Sequence, residues 1–184
     1  MASQTSASLI LLSFLLFVGG TLAGYLSAGE LSASLTGILS EELSPILKLP
    51  KPLLALAVFA NNLSKTFMAM LLGLLLAIPP ILFILANGFI LGVVSFEVVE
   101  SKGILFLLLG ILPHGVFEVL AAILSTALGV RLGEAVYARL KGKSFEVWRT
   151  LNLCLKFYFS RIMPLLAVAA VIEAFITPSL LSLL

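Results

Sequence analysis

The sequence predicts an all-α fold, a polytopic helical transmembrane bundle of about five spans. Composition is the first reason. Of 184 residues, 61% are apolar and only 11% charged, where a soluble domain carries about 25% charged residues. The mean hydropathy is +1.22. The second reason is pattern: the apolar stretches are continuous and of spanning length, whereas a β-barrel strand alternates apolar and polar residues. The third is charge placement, since Lys, Arg, Asp and Glu gather mainly between those stretches. A single membrane domain covers 1–184.

The first run, 8–28, meets the ~20 residues needed to cross the hydrocarbon core. Gly20 and Gly24 lie on one face of it, a small-xxx-small arrangement that lets another helix come close. No Lys or Arg precedes the run, which favours a retained span over a cleaved leader. Over 29–52, Leu31, Leu35, Ile38, Leu39, Leu43, Ile46 and Leu47 recur at helical spacing among Ser, Thr and Glu. That pattern predicts an amphipathic helix lying in the interface.

The apolar stretch from Leu53 to Val94 is too long for one span. Pro79-Pro80 interrupts it, and proline both removes a backbone donor and restricts the residue before it. Two spans are expected, 53–78 and 80–96, with a turn at Ile78-Pro79-Pro80; one long kinked helix is the alternative. Glu97 to Lys102 forms the next loop. A fourth span, 103–130, is expected to be a broken helix between Gly110 and Gly115. The last span is 157–176.

Between these two spans, 131–156 carries Arg131, Arg139, Lys141, Lys143, Arg149 and Lys156 against Glu134 and Glu146. The positive-inside rule makes this basic segment cytoplasmic. In a multi-pass cell-membrane protein of five spans, the N-terminus is then cytoplasmic and the C-terminus outside. Leu132, Val136 and Leu140 extend the fourth helix. Ser144 is placed to cap a short second helix, whose Phe145, Trp148, Leu151 and Leu155 make an apolar face. Such a basic amphipathic element suits the membrane surface; a cytoplasmic hairpin that merely carries topology charge is the alternative. Nothing in the chain points to nucleic acid. Cys154, the single cysteine, sits between Leu153 and Leu155 and reads as a small apolar side chain.

Polar groups inside the spans are where function is sought, because ionisable residues there are costly. His114, the only histidine, precedes Glu118 by four residues, so the two share a helix face. Asn61, Asn62 and Asn87 are the amides that fall within the spans, and Lys65 lies on the Asn61 face. Gly88 and Gly92 offer a second close-approach face; Ala121, Ala122, Ser125 and Gly129 extend a small-residue stripe beyond Glu118. Packing the second, third and fourth spans together turns Asn61, Asn62, Asn87, His114 and Glu118 inward. Glu173 and Arg161 are expected to reach out to the two interfaces.

Such a cluster has three readings. It can hydrogen-bond helices together; it can relay protons or line a transport path beside a helix break; or His114 and Glu118 can ligate a divalent metal such as zinc. Zinc normally takes three or four protein ligands, so the pair needs completion. Catalysis ranks below these: the chain has no His-Glu-x-x-His and no Gly-x-Ser-x-Gly.

Asn61-Asn62, Asn87-Gly88 followed by Gly92, Pro113-His114-Gly115 with Phe117-Glu118, and Gly129-Val130-Arg131-Leu132-Gly133 stand in an order and spacing that resembles the stage II sporulation protein M family. The resemblance implies an integral membrane protein of about five spans. In spore-forming bacteria the family's namesake recruits or anchors a cell-wall hydrolase through another membrane partner during engulfment, and the leading reading of this chain is a scaffold or assembly protein with the polar cluster as its organising core. The partners expected are the lipid bilayer, a second copy of the chain paired as a homodimer through small-residue faces, and another membrane or envelope protein. A small transporter or channel component using His114 and Glu118 is the alternative, and a metal-dependent membrane enzyme the next.

Overall fold

The structure, a computed structural model, describes residues 7–47, 49–144 and 146–184, with the backbone alone over 30–47. Helices are its only regular elements among those residues: α1 (Ala7–Leu47), α2 (Lys51–Leu71), α3 (Ile78–Lys102), α4 (Ile104–Leu140), α5 (Val147–Phe157), α6 (Met163–Val171) and α7 (Thr177–Leu181). π-helical turns at Tyr158–Ile162 and Ile172–Ile176 join the last three into one rod. Five segments are long and apolar enough to cross a membrane: Ala7–Gly29, Lys51–Leu74, Ile78–Lys102, Ile104–Leu140 and Val147–Leu181.

The span count agrees with the sequence, and the boundaries shift in instructive ways. The two halves of the long apolar stretch are separate helices, which removes the single kinked helix. The turn, however, precedes the prolines. A 3₁₀ turn at Leu72–Leu74 leads to Leu76 and Ala77, both in the left-handed region with φ of 56° and 67°. Pro79 and Pro80 then lie in the first turn of α3, where the missing N–H has no intrahelical acceptor in any case. Residues 97–102 finish α3 rather than forming a loop. Gly103 alone joins α3 to α4, with φ 86° and ψ 166°, a conformation that only glycine takes without strain.

The fourth helix is not broken. α4 runs continuously from Ile104 to Leu140 with Pro113 inside it. Proline deletes one intrahelical bond, to the residue four back, and membrane helices tolerate this because the rest of the ladder is intact and neighbours restore the freed carbonyl. Likewise 29–47 is helical but continues α1 without interruption. The interfacial placement expected for its apolar face concerns side chains outside the described residues, as does Phe145.

The connection from α4 to α5 spans only 141–146. Ser144 does not cap α5; the capping position is Glu146, with no side-chain cap. The expected short surface helix is instead the start of the last rod, with Leu151 and Leu155 against the core, Cys154 buried as expected, and Trp148 turned outward.

α4 is the axis of the bundle. On one side it packs with α2 and the last rod, around Met70, Leu128, Leu132, Tyr158, Ile162 and Leu166. On the other it packs with α1 and α3, around Phe17, Ile84, Ala122 and Ile123. α2 and α3 touch each other little. Lipid tails are as apolar as leucine, so close packing rather than water exclusion holds these helices. α1 and α3 run parallel and interlock by their glycines. A Cβ on Gly20 or Gly24 would run into the backbone of Leu85 or Phe89, and one on Gly88 or Gly92 into that of Phe17 or Thr21. The Ala121–Gly129 stripe on α4 is likewise buried, with Gly129 facing Pro80 and Ala69, and Gly133 facing Ala77. The small-residue faces are thus filled within the chain.

Candidate functional site

His114 stands ten residues along α4 from Ile104, about 15 Å at 1.5 Å per residue. That is half the ~30 Å hydrocarbon thickness, so the polar groups around it belong at mid-membrane. His114 and Glu118 share a face of α4, as their spacing requires, but they bond to different helices. The Asn62 side-chain amide on α2 donates to Glu118 Oε1. His114 Nδ1 lies 3.2 Å from Thr177 Oγ1 on the last rod. One turn past Asn62, Thr66 Oγ1 lies 2.7 Å from the Tyr158 hydroxyl, and that hydroxyl also reaches the Leu63 carbonyl at 2.8 Å. The network therefore ties α2, α4 and the last rod, not the second, third and fourth spans.

The other residues fall around it. Asn61 is exposed and donates to Asn62 Oδ1 at 3.3 Å. Asn87 donates to the Phe83 carbonyl of its own helix at 2.8 Å. Gly88 belongs to the α1–α3 seam. Lys65 is exposed and within electrostatic range of Glu118, yet the ion pair within 4.0 Å among the described residues is that of Arg149 with Glu146. Glu173 is the main departure. It does not reach to an outer interface; it is half-buried in the second π turn, within electrostatic range of Glu118. A π turn admits one extra residue and so rotates the helix beyond it. Each π turn here carries a polar side chain, Tyr158 of the network in the first and Glu173 in the second.

A cleft of about 570 Å³ opens between the two halves of the bundle, walled by α1, α2, α3 and α4. Asn62, Lys65, Thr66, Asn87, His114 and Glu118 contribute its polar surface, and the rest is apolar. Asn87 thus shares the cleft without sharing the hydrogen bonds. Among the described residues, no group of three His, Cys, Asp or Glu side chains converges to hold a metal ion. Within those residues, no third side chain of these types joins His114 and Glu118.

A model of the family described as stage II sporulation protein M matches residues 13–178. The chain belongs to that family. The matched range reaches into all five spans and includes positions 61, 62, 87, 88, 114 and 118. An uncharacterised protein of Methanocaldococcus jannaschii is 28% identical over 174 residues, covering 93% of this chain and 94% of the relative. No solved structure matches.

Thr66, Tyr158 and Thr177 were not among the residues that spacing singled out. Thr66 could have been found, because it continues the Asn62 face at i+4. Tyr158 and Thr177 could not, since their orientation depends on the π turns.

Proposed function

We propose that the protein is a membrane scaffold or assembly component of the stage II sporulation protein M type, with the polar network as the lock that sets its helix arrangement. One observation carries the reading: Asn62–Glu118, Thr66–Tyr158 and His114–Thr177 each join different helices. Buried polar groups spent on neighbouring helices fix register and orientation. In this reading the N-terminus and the basic α4–α5 connection are cytoplasmic and the C-terminus is outside, following the positive charges. A partner in the membrane or envelope docks on the fixed bundle. Pairing of two copies belongs to the same reading and uses a surface other than the glycine seams, which are filled within the chain. The test is His114→Ala in reconstituted protein: thermal stability or self-association falls, and no flux is lost. Ion or proton flux that disappears in Glu118→Gln overturns it.

The cleft favours a second reading, a small transporter or channel component. Glu118, His114 and Lys65 all line one mid-membrane hollow that is otherwise apolar, and intramembrane ionisable groups commonly mark ion paths. The same flux measurement decides between the two. Zinc bound by His114 and Glu118 is tested by metal analysis of wild type against His114→Ala: equal content removes it.

A further inference from the structure

At the end of the bundle away from Gly103, the close of α4 and the start of α5 flank an open recess of about 810 Å³. Arg139 lines it from α4, and Arg149, Asn152 and Lys156 line it from α5. Spacings of three and four residues put those last three on one helix face, distinct from the face of Thr150 and Cys154, which is buried. Among the described residues the only acid in the lining is Glu146, 3.8 Å from Arg149, with the two side chains 73% and 68% exposed. So open a pair is screened by water and holds little. The hollow keeps an excess of positive charge.

Its depth indicates what meets that charge. The rod Val147–Leu181 has 35 residues, about 52 Å at 1.5 Å per residue, against ~30 Å of hydrocarbon. Some 20 Å must therefore stand outside the hydrocarbon, in and beyond the headgroup layers, and the polar, basic α5 is the part suited to that exit. Trp148 is 73% exposed at the rim of the hollow, the side chain that favours this layer. Just beyond Lys156, Phe159 is exposed on the same rod and offers apolar surface to acyl chains.

We propose that this hollow is a binding site for an anionic phospholipid, its phosphate held by Arg139, Arg149 and Lys156 with Asn152 as a further donor. Basic recesses at this level between helices are suited to acidic headgroups. The acyl chains lie along the exposed side of the last span.

The test uses the full chain in detergent, titrated with phosphatidylglycerol or phosphatidylcholine, with retained lipid counted by native mass spectrometry and unfolding followed by heating. Phosphatidylglycerol is retained and raises the unfolding temperature; phosphatidylcholine does neither. Each of Arg139→Ala, Arg149→Ala and Lys156→Ala weakens phosphatidylglycerol binding roughly fivefold, while Arg139→Lys keeps most of it. Lys51→Ala with Lys102→Ala, at the opposite end of the bundle, leaves it unchanged. Equal retention by wild type and the three alanine variants overturns the proposal. So does an equal loss in the Lys51/Lys102 control, or full displacement by inorganic phosphate at matched concentration, which marks a free-phosphate site.

Discussion

Asn62 on α2 donates its side-chain amide to the Glu118 carboxylate on α4, across 56 residues of sequence. This bond brings the second span to the bundle axis at mid-membrane depth. Its energetic role is separable from the charge it carries. Asn62→Ala leaves the carboxylate without its donor and costs roughly 1 kcal/mol, within the range of interhelical bonds in membranes. Glu118→Gln keeps an acceptor oxygen facing Asn62 and costs less than about half of that. Thermal unfolding of both variants in one detergent gives the order. Equal losses would remove the hydrogen bond as the source.

The α1–α3 seam makes a sharper prediction because it contains its own control. Gly20 lies against the Leu85 backbone, whereas a Cβ on the adjacent Gly19 meets nothing within 4 Å. Backbone cannot rotate aside as a side chain can, so Gly20→Ala forces the helices apart and costs about 1–3 kcal/mol. Gly19→Ala gains up to ~1 kcal/mol from helix propensity. Opposite signs for neighbouring glycines, read from two melting curves, are the expected result.

Tyr158 and Thr66 are coupled through a 2.7 Å contact. Tyr158 is fully buried, and its ring also packs edge-on against Phe67 at 5.1 Å. Tyr158→Phe keeps the ring contact and removes the hydroxyl. A double-mutant cycle with Thr66→Val isolates the pair, with an expected coupling of about 1 kcal/mol. A coupling near zero would show that the hydroxyl's bond to the Leu63 carbonyl carries the effect instead.

Spans and glycine faces were legible in the sequence because they rest on local chemistry. Apolar length sets the spans, and the spacings Gly20/Gly24 and Gly88/Gly92 set two faces that prove to be each other's partners. What spacing alone could not give was register. His114 and Glu118 share a face, yet which helix meets each is decided by long-range contacts and by two π turns that no propensity marks. Proline marked the division of the long apolar stretch but misplaced its turn, and it suggested a break in α4 that is not there, both for one physical reason. Pro79, Pro80 and Pro113 each remove a donor, but at a helix start that donor is idle, and inside a membrane helix one missing bond does not end the ladder. Nearness to the chain end makes Glu173 look interfacial. The rod continues to Leu181, which leaves Glu173 well inside.

The membrane orientation can be read out with few changes. Five spans alternate direction, so the α3–α4 junction at Gly103 and the α4–α5 connection at 141–146 lie on opposite sides. Cys154 is the only cysteine and is 1% exposed, so the wild-type chain gives a low background with a membrane-impermeant maleimide. Lys102→Cys and Lys141→Cys place one thiol at each end of α4, both at exposed positions. In intact cells, reagent added outside labels Lys102→Cys alone; after permeabilisation it labels both. This expected outcome follows from the excess of Lys and Arg around the α4–α5 connection, the kind of segment that the positive-inside rule assigns to the cytoplasmic side. Labelling of Lys141→Cys alone from outside would invert the whole bundle and place the proposed lipid site on the outer leaflet. Labelling of both from outside would contradict the five-span path itself.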